Sequence, residues 1–222
     1  NLSRALRGPM LFTFTLLATV LLDELIYGVQ GAALPLIRTD LALTYTQVGL
    51  LLTLPAFVGN VLDPLIGVLG DVWKRKALIV GGALAAAAAM LLVAAGYTFA
   101  AIVVAFCLSY PASTAYVSLS QATLMDLNPG RHDQMMARWA VFGSIGNVVG
   151  PLAVAGALTI GFGWRGLYLG LAVLAGALAL IFVRQPFNGA GRAESNRGLL
   201  AGLRELPRVV FTSGVLRWMV LM

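Results

Sequence analysis

Six apolar runs, each long enough to cross a lipid bilayer, follow one another through the first 183 residues of this chain. Their approximate limits are 10–36, 46–69, 77–96, 99–123, 136–160 and 166–183. As a helix, roughly 18–25 apolar residues cross about 30 Å of hydrocarbon. At that depth only a helix satisfies its own backbone groups without closing into a barrel. From Ala77 to Ala95 no residue is charged. The pattern specifies an all-α membrane protein. Composition agrees, since 59% of the 222 residues are hydrophobic and 11% are charged, against about 25% charged in a soluble domain. Such a chain has too little polar surface to cover a globule, so its solvent is the lipid bilayer. Glycine and alanine are frequent in several runs and let helices approach closely in lipid.

The loops are short, so neighbouring helices run antiparallel, and the cations then orient the bundle. Arg4, Arg7, Lys74, Arg75, Lys76, Arg131, Arg138, Arg184, Arg192, Arg197, Arg204 and Arg208 fall on one side, and only Arg38 and Arg165 on the other. This asymmetry puts the N terminus, the 69–77 loop, the 124–135 loop and the stretch from Arg184 to Arg208 in the cytoplasm of a multi-pass inner (plasma) membrane protein. It also assigns the net charge of +6 to an anionic leaflet rather than to nucleic acid. One cysteine, Cys107, and one histidine, His132, exclude a disulfide framework and a cysteine–histidine metal cluster. Cys107 reads as a packing residue and His132 as a solvated loop residue. No nucleophile elbow, phosphate loop or HExxH pattern occurs, so neither an enzyme nor a cofactor site is expected. The first run is too long for a cleaved signal peptide and reads as a retained span. Residues 1–183 form the expected six-helix bundle. Residues 184–212 read as a cytoplasmic linker in which LLAGLRELPR forms a short amphipathic helix. Residues 213–222 read as the start of a seventh span, as in a fragment of a longer protein.

Charge inside a span is costly and needs a partner, a cavity or a task. Asp23 and Glu24 lie near the middle of the first span and point about 100° apart on a helix. Asp23 shares a face with Tyr27 and Gln30, and Glu24 shares one with Gly28 and Gly31, where a neighbouring helix can pack closely. Either carboxyl, held in a low dielectric, can take up and release a proton near neutral pH. Asn60, Asp63, Gly67 and Asp71 form a stripe on the second span. Asp63 reads equally as a second proton or cation site and as part of a gate network. The fourth span carries Ser109, Ser113, Tyr116 and Ser120 on one side, flanked by Tyr110, Thr114 and Gln121. Hydroxyls in such number line a cavity or bond to other helices, and Asn147 in the fifth span is similar. Arg138 opens that span, placed to pair with Asp71 or Asp126 or to reach the headgroups.

Between the second and third spans the chain reads GVLGDVWKRK, residues 67–76. Gly67 and Gly70 there allow close helix approach and a tight exit. Gly67, Leu69, Asp71, Arg75 and Lys76 resemble the signature loop of the major facilitator superfamily, G-x-L-x-D-x-x-G-[RK]-[RK]. Lys74 stands where the family usually has glycine. In the fifth span Gly146, Gly150 and Pro151 resemble the family's G-x-x-x-G-P motif, associated with antiporters, with Val154 and Ala155 in place of its later glycine pair. The family's fourth-span arginine signature is missing. The sequence around Tyr110-Pro111-Ala112-Ser113, the Asp23-Glu24 pair upstream of Pro35, and LTYTQVGLLLT are similar to the fosmidomycin-resistance branch of drug-efflux proteins. Tyr110 and Ala112 occupy the places of that branch's histidine and glutamate.

The resemblance implies one half of a twelve-helix fold, six transmembrane helices arranged as two inverted three-helix repeats, whose partner is the missing C-terminal six-helix half. It implies a transporter that moves a small-molecule substrate by alternating access, with proton-coupled efflux of drug-like or metabolite compounds as the leading reading. A metabolite uptake symporter of the same superfamily is the alternative, and a non-transporting scaffold or receptor is the alternative from another class. Asp23, Glu24 and Asp63 are then the proton-coupling candidates. Tyr27, Gln30, Ser109, Tyr110, Ser113, Tyr116 and Asn147 are the cavity candidates. Gly67, Leu69, Asp71, Arg75, Lys76 and Arg138 form the gate.

Overall fold

A computed structural model describes residues 2–185 and 187, with side chains from Met10 onward except those of 71 and 72. The expected linker, beyond its first residues, and the expected seventh span lie outside the described residues. Among the described residues, six helices are long and apolar enough to cross a membrane. We label them α1 (Leu2–Asp40), α2 (Tyr45–Val72), α3 (Arg75–Ala95), α4 (Phe99–Asp126), α5 (His132–Thr159) and α6 (Gly163–Arg184). Within α4 a wider π-type turn occupies Thr114–Ser118.

Most of the helices run past the apolar limits read from the sequence, by up to eight residues at the start of α1 (Leu2 against 10). Apolarity marks the hydrocarbon, whereas the backbone ladder continues until something caps it. Thr44 caps α2 through a capping box: Gln47 N donates to Thr44 Oγ1 (3.2 Å) and Thr44 N donates to Gln47 Oε1 (2.9 Å). Thr98 caps α4 by accepting from Ala101 N at 3.3 Å. His132 is not a loop residue but the first residue of α5, and it is exposed. The turn from α5 to α6 uses Gly161 at φ 71° and Gly163 at φ 67°, a left-handed conformation that glycine adopts without steric cost.

The most extensive pairings are α1 with α5, α3 with α6, α3 with α4, and α2 with α4. Glycines make the α1–α5 seam. A Cβ on Gly150 would meet the Gly28 backbone at 2.7 Å, and one on Gly28 would meet Asn147 O at 2.9 Å. A Cβ on Gly146 would collide with Leu21 O. The fifth-helix motif is thus, at least, a close-packing device. Gly31 and Gly67, expected to admit a neighbour, have nothing within 4 Å of a built Cβ. Gly70, for which close approach is likewise expected, does meet a neighbour, since a side chain there would strike Leu119 on α4. Leu16, Val29, Ile79, Met90, Phe106, Tyr168 and Phe182 are among the residues that fill the core. Large apolar side chains such as Phe57, Val148 and Val173 stay exposed, as suits a surface that meets lipid or protein rather than water.

Both ends of the bundle are tied by cations. At the end where α2 passes to α3, Arg75 Nη1 pairs with Asp126 Oδ2 at the close of α4 (2.5 Å). Of the partners expected for Arg138, Asp126 is instead paired with Arg75, and the Asp71 side chain lies outside the described residues. Lys76 Nζ donates to the carbonyls of Val183 (2.9 Å) and Gln185 (2.8 Å), where α6 ends. Those carbonyls have no partner inside their own helix, so the lysine satisfies them. Gln185 Nε2 donates in turn to Thr15 Oγ1 of α1 at 2.8 Å. At the opposite end Arg165 donates to Asp40 Oδ2 (3.1 Å) and to the Gly96 carbonyl (3.1 Å). Its guanidinium lies 4.5 Å from the Tyr97 ring centre and 4.1 Å from that of Trp164. Arg38 lies 4.0 Å over Tyr45. The two arginines that run against the charge asymmetry are therefore both engaged in structural contacts.

Candidate functional site

Asp23 is nearly buried at 8% exposure, on the face of α1 that turns toward α3 and α4. The fully buried Tyr116 donates its hydroxyl to Asp23 Oδ1 at 2.8 Å. Tyr27, Gln30, Ser109 and Ser113 line the same cavity, closed on the far side by Ala86 and Met90 of α3. Its volume of about 10 Å³ is room for roughly one water. The sequence stripes on α1 and α4 thus meet each other across this cavity. Ser109 donates to the Phe106 carbonyl of its own helix at 2.8 Å, so its hydroxyl proton is already used.

Glu24, one residue on, faces a different helix. Asn147 Nδ2 of α5 donates to Glu24 Oε2 at 3.0 Å. The pair borders an open groove of about 430 Å³ shared with Trp139, Gly143 and Ser144. The 100° offset between adjacent helical positions has therefore sent the two carboxyls to separate surfaces. Asp63, half-buried on α2, accepts from Thr114 Oγ1 at 2.5 Å. Both Thr114 and Tyr116 lie in the π-type turn, which presents one hydroxyl to Asp63 and the other to Asp23. Such wider turns occur often at functional sites. Tyr27 and Tyr110 stand edge to face, with ring centres 5.7 Å apart. Gly59 leaves the space into which the Tyr110 ring packs, 3.1 Å from a built Cβ.

The structure thus brings Asp23, Tyr27, Gln30, Ser109, Ser113 and Tyr116 together, places Tyr110 beside them, and puts Glu24 with Asn147 apart. Asp63 joins through Thr114, which the sequence suggested only as a flanking hydroxyl. Of the residues expected to form a gate, Arg75 and Lys76 tie α3 to α4 and α6. Leu69 N–H lies inside α2 while its carbonyl accepts from Trp73 N at 2.8 Å. The side chain of Asp71 is outside the described set. Arg138 is exposed and, with Arg131, Phe14 and Phe142, borders a groove of about 520 Å³ between α1 and α5. Sequence reasoning missed Lys76 as a helix cap and Arg165 as a junction. Each acts on a helix end remote in the chain, and no local pattern records that.

Comparison with known proteins agrees with this architecture. The human organic anion transporter MFSD10, a solved structure, superposes with a TM-score of 0.62 at 19% identity, covering 82% of this chain and 50% of that one. The fosmidomycin resistance protein of Escherichia coli (strain K12) is 24% identical over 135 residues, 61% of this chain and 33% of that protein. The chain therefore spans a third of that curated relative and half of that structure. The family model described as Major Facilitator Superfamily matches residues 16–222. On that match, and on six apolar helices paired as described, this chain belongs to the major facilitator superfamily.

Proposed function

We propose that the chain is the N-terminal half of a proton-coupled secondary transporter that moves a small organic solute by alternating access. One observation carries the reading. Asp23, Glu24 and Asp63, the acids within the spans, are each held by a neutral donor: Tyr116, Asn147 and Thr114. Among the described residues none of the three forms an ion pair. A carboxylate locked to an arginine stays charged, whereas one held by a hydroxyl or amide can exist in both states. Asp23 is the principal proton site, since it is the most enclosed of the three and borders the cavity.

These contacts support the following working cycle. With Asp23 ionised, Tyr116 donates to it. When a proton arrives on the carboxyl, the local charge disappears and the cost of closing the site in low dielectric falls. Release of that proton on the other side restores the acceptor. The apolar walls around a few acids suit uncharged or cationic amphiphiles. The fosmidomycin resistance protein supports the efflux direction by its name. The basic end of the bundle supports an inner-membrane orientation with the N terminus in the cytoplasm. The second half would supply the opposing wall of the cavity.

The test is transport by the complete protein in proteoliposomes with an imposed pH gradient. Asp23→Asn should abolish gradient-driven accumulation while leaving substrate exchange across the bilayer. Unchanged gradient-driven flux in that variant would sink the assignment of Asp23. No gradient-dependent flux across a broad panel of amphiphiles would sink the transporter reading.

A further inference from the structure

The two tied ends of the bundle are related by its internal repeat. Exchanging α1 with α4, α2 with α5 and α3 with α6 carries the α1–α5 seam onto the α4–α2 seam and leaves the α3–α6 pair on itself. These are among the most extensive pairings. The same exchange carries Arg75, at the start of α3 and paired with Asp126 at the end of α4, onto Arg165. Arg165 stands near the start of α6 and pairs with Asp40 at the end of α1. It also carries Lys76, which satisfies the final carbonyls of α6, onto Arg165 again, which donates to the Gly96 carbonyl at the close of α3. One guanidinium performs at one face what Arg75 and Lys76 perform at the other. Its fork of five N–H donors can serve a carboxylate and a carbonyl together, which an ammonium does less well. The two ion pairs even share their setting, with a sheltered arginine (12% and 24% exposed) and a more open aspartate (47% and 51%).

The helices held in this way are α1 and α4, which carry Asp23 and Tyr116 across the cavity from each other. We propose that Arg165 is a positioning residue for alternating access: it holds the end of α1 against α6 and α3 at one face, as Arg75 and Lys76 hold the end of α4 against α3 and α6 at the other. The two clamps then act in opposite senses on which face the cavity opens to. The family's signature loop has an inverted counterpart within the same half, assembled from Asp40, Gly96 and Arg165, which are far apart in the chain.

The proposal rests on alternating access, and accessibility tests it without a known substrate. In the complete transporter with its native cysteines replaced, Ser113→Cys serves as a reporter inside the cavity. A membrane-impermeant maleimide is applied to right-side-out and inside-out vesicles. Arg165→Ala should raise the labelling rate from the face of residues 41–44, relative to that from the Lys74–Lys76 face. The expected shift is about two- to fivefold, the scale of a partly exposed ion pair. Arg75→Ala should shift the same ratio the other way. Arg165→Lys, which keeps the charge and loses the fork, should fall between Arg165→Ala and the parent. If Arg165→Ala does not fold, Asp40→Asn should shift the ratio in the same sense. Shifts of the same sign for Arg75→Ala and Arg165→Ala would overturn the proposal, as would an unchanged ratio with a lowered melting temperature. A reporter labelled from one face alone in the parent, under every gradient applied, would instead remove alternating access and the clamp with it.

Discussion

The acids inside the spans and the acids at the helix ends are held in opposite ways. Asp23, Glu24 and Asp63 each accept from a neutral group, whereas Asp40 and Asp126 each meet an arginine. An arginine fixes its partner's charge and is fixed by it, which suits a joint between helices. A neutral donor tolerates either charge state, which suits a group that exchanges a proton. The position of an acid along the membrane normal thus goes with the chemistry of its partner, and in the proposed mechanism the partner goes with the task.

The comparison can be broken most severely at Asp23. Asp23→Asn keeps the size of the side chain and removes its titration, so gradient-driven flux should fall to that of empty liposomes while thermal stability stays close to the parent. Tyr116→Phe comes next. It leaves a buried carboxylate without its donor, and gradient-driven transport should drop roughly tenfold, with no rescue by added salt. Asp63→Asn should have a smaller effect, a loss of about threefold in the same assay, since Asp63 is only half-buried. If Asp63→Asn instead matches Asp23→Asn, Asp63 is a proton site of equal rank. Asp126→Asn, at the helix end, should cost no more than about 1 kcal/mol in unfolding measurements, because its pair is partly exposed. Exchange of substrate should stay within about twofold of the parent. The smallest effect separates the two classes by screening. Raising sodium chloride should weaken the Arg165–Asp40 and Arg75–Asp126 pairs by a few tenths of a kcal/mol, seen as a lower melting temperature, and leave the Tyr116–Asp23 bond untouched.

Much of this arrangement is legible in the linear chain. Run length and loop charge yield six helices, and the i, i+4, i+7 spacing of Asp23, Tyr27 and Gln30 identifies the face of α1 that lines the cavity. The Ser109–Ser113–Tyr116 stripe does the same for α4. The 100° step also separates Glu24 from Asp23, though nothing in α1 itself says that Asn147 will be the partner of Glu24. Close approach was expected of both Gly67 and Gly70, and only Gly70 meets a neighbour, because helix contact depends on the tilt of α2 against α4. Lys76 and Arg165 are opaque for the same reason. A lysine that satisfies the carbonyls of Val183 and Gln185 has its partners 107 and 109 residues away, and those partners are main-chain atoms that no side-chain pattern reveals.

The wider turn at Thr114–Ser118 makes α4 resemble a screw with one thread cut at a coarser pitch. Were that turn to tighten to the ordinary 3.6-residue register, Leu119–Asp126 would rotate by about 100° against Phe99–Ser113. Asp126 would swing off Arg75, Tyr116 within the turn would rotate by a smaller angle at Asp23, and Thr114, next to the fixed Ser113, would stay on Asp63. A single quarter-turn within one helix would thus release the ion pair at the membrane edge and disturb one hydrogen bond at the level of the acids.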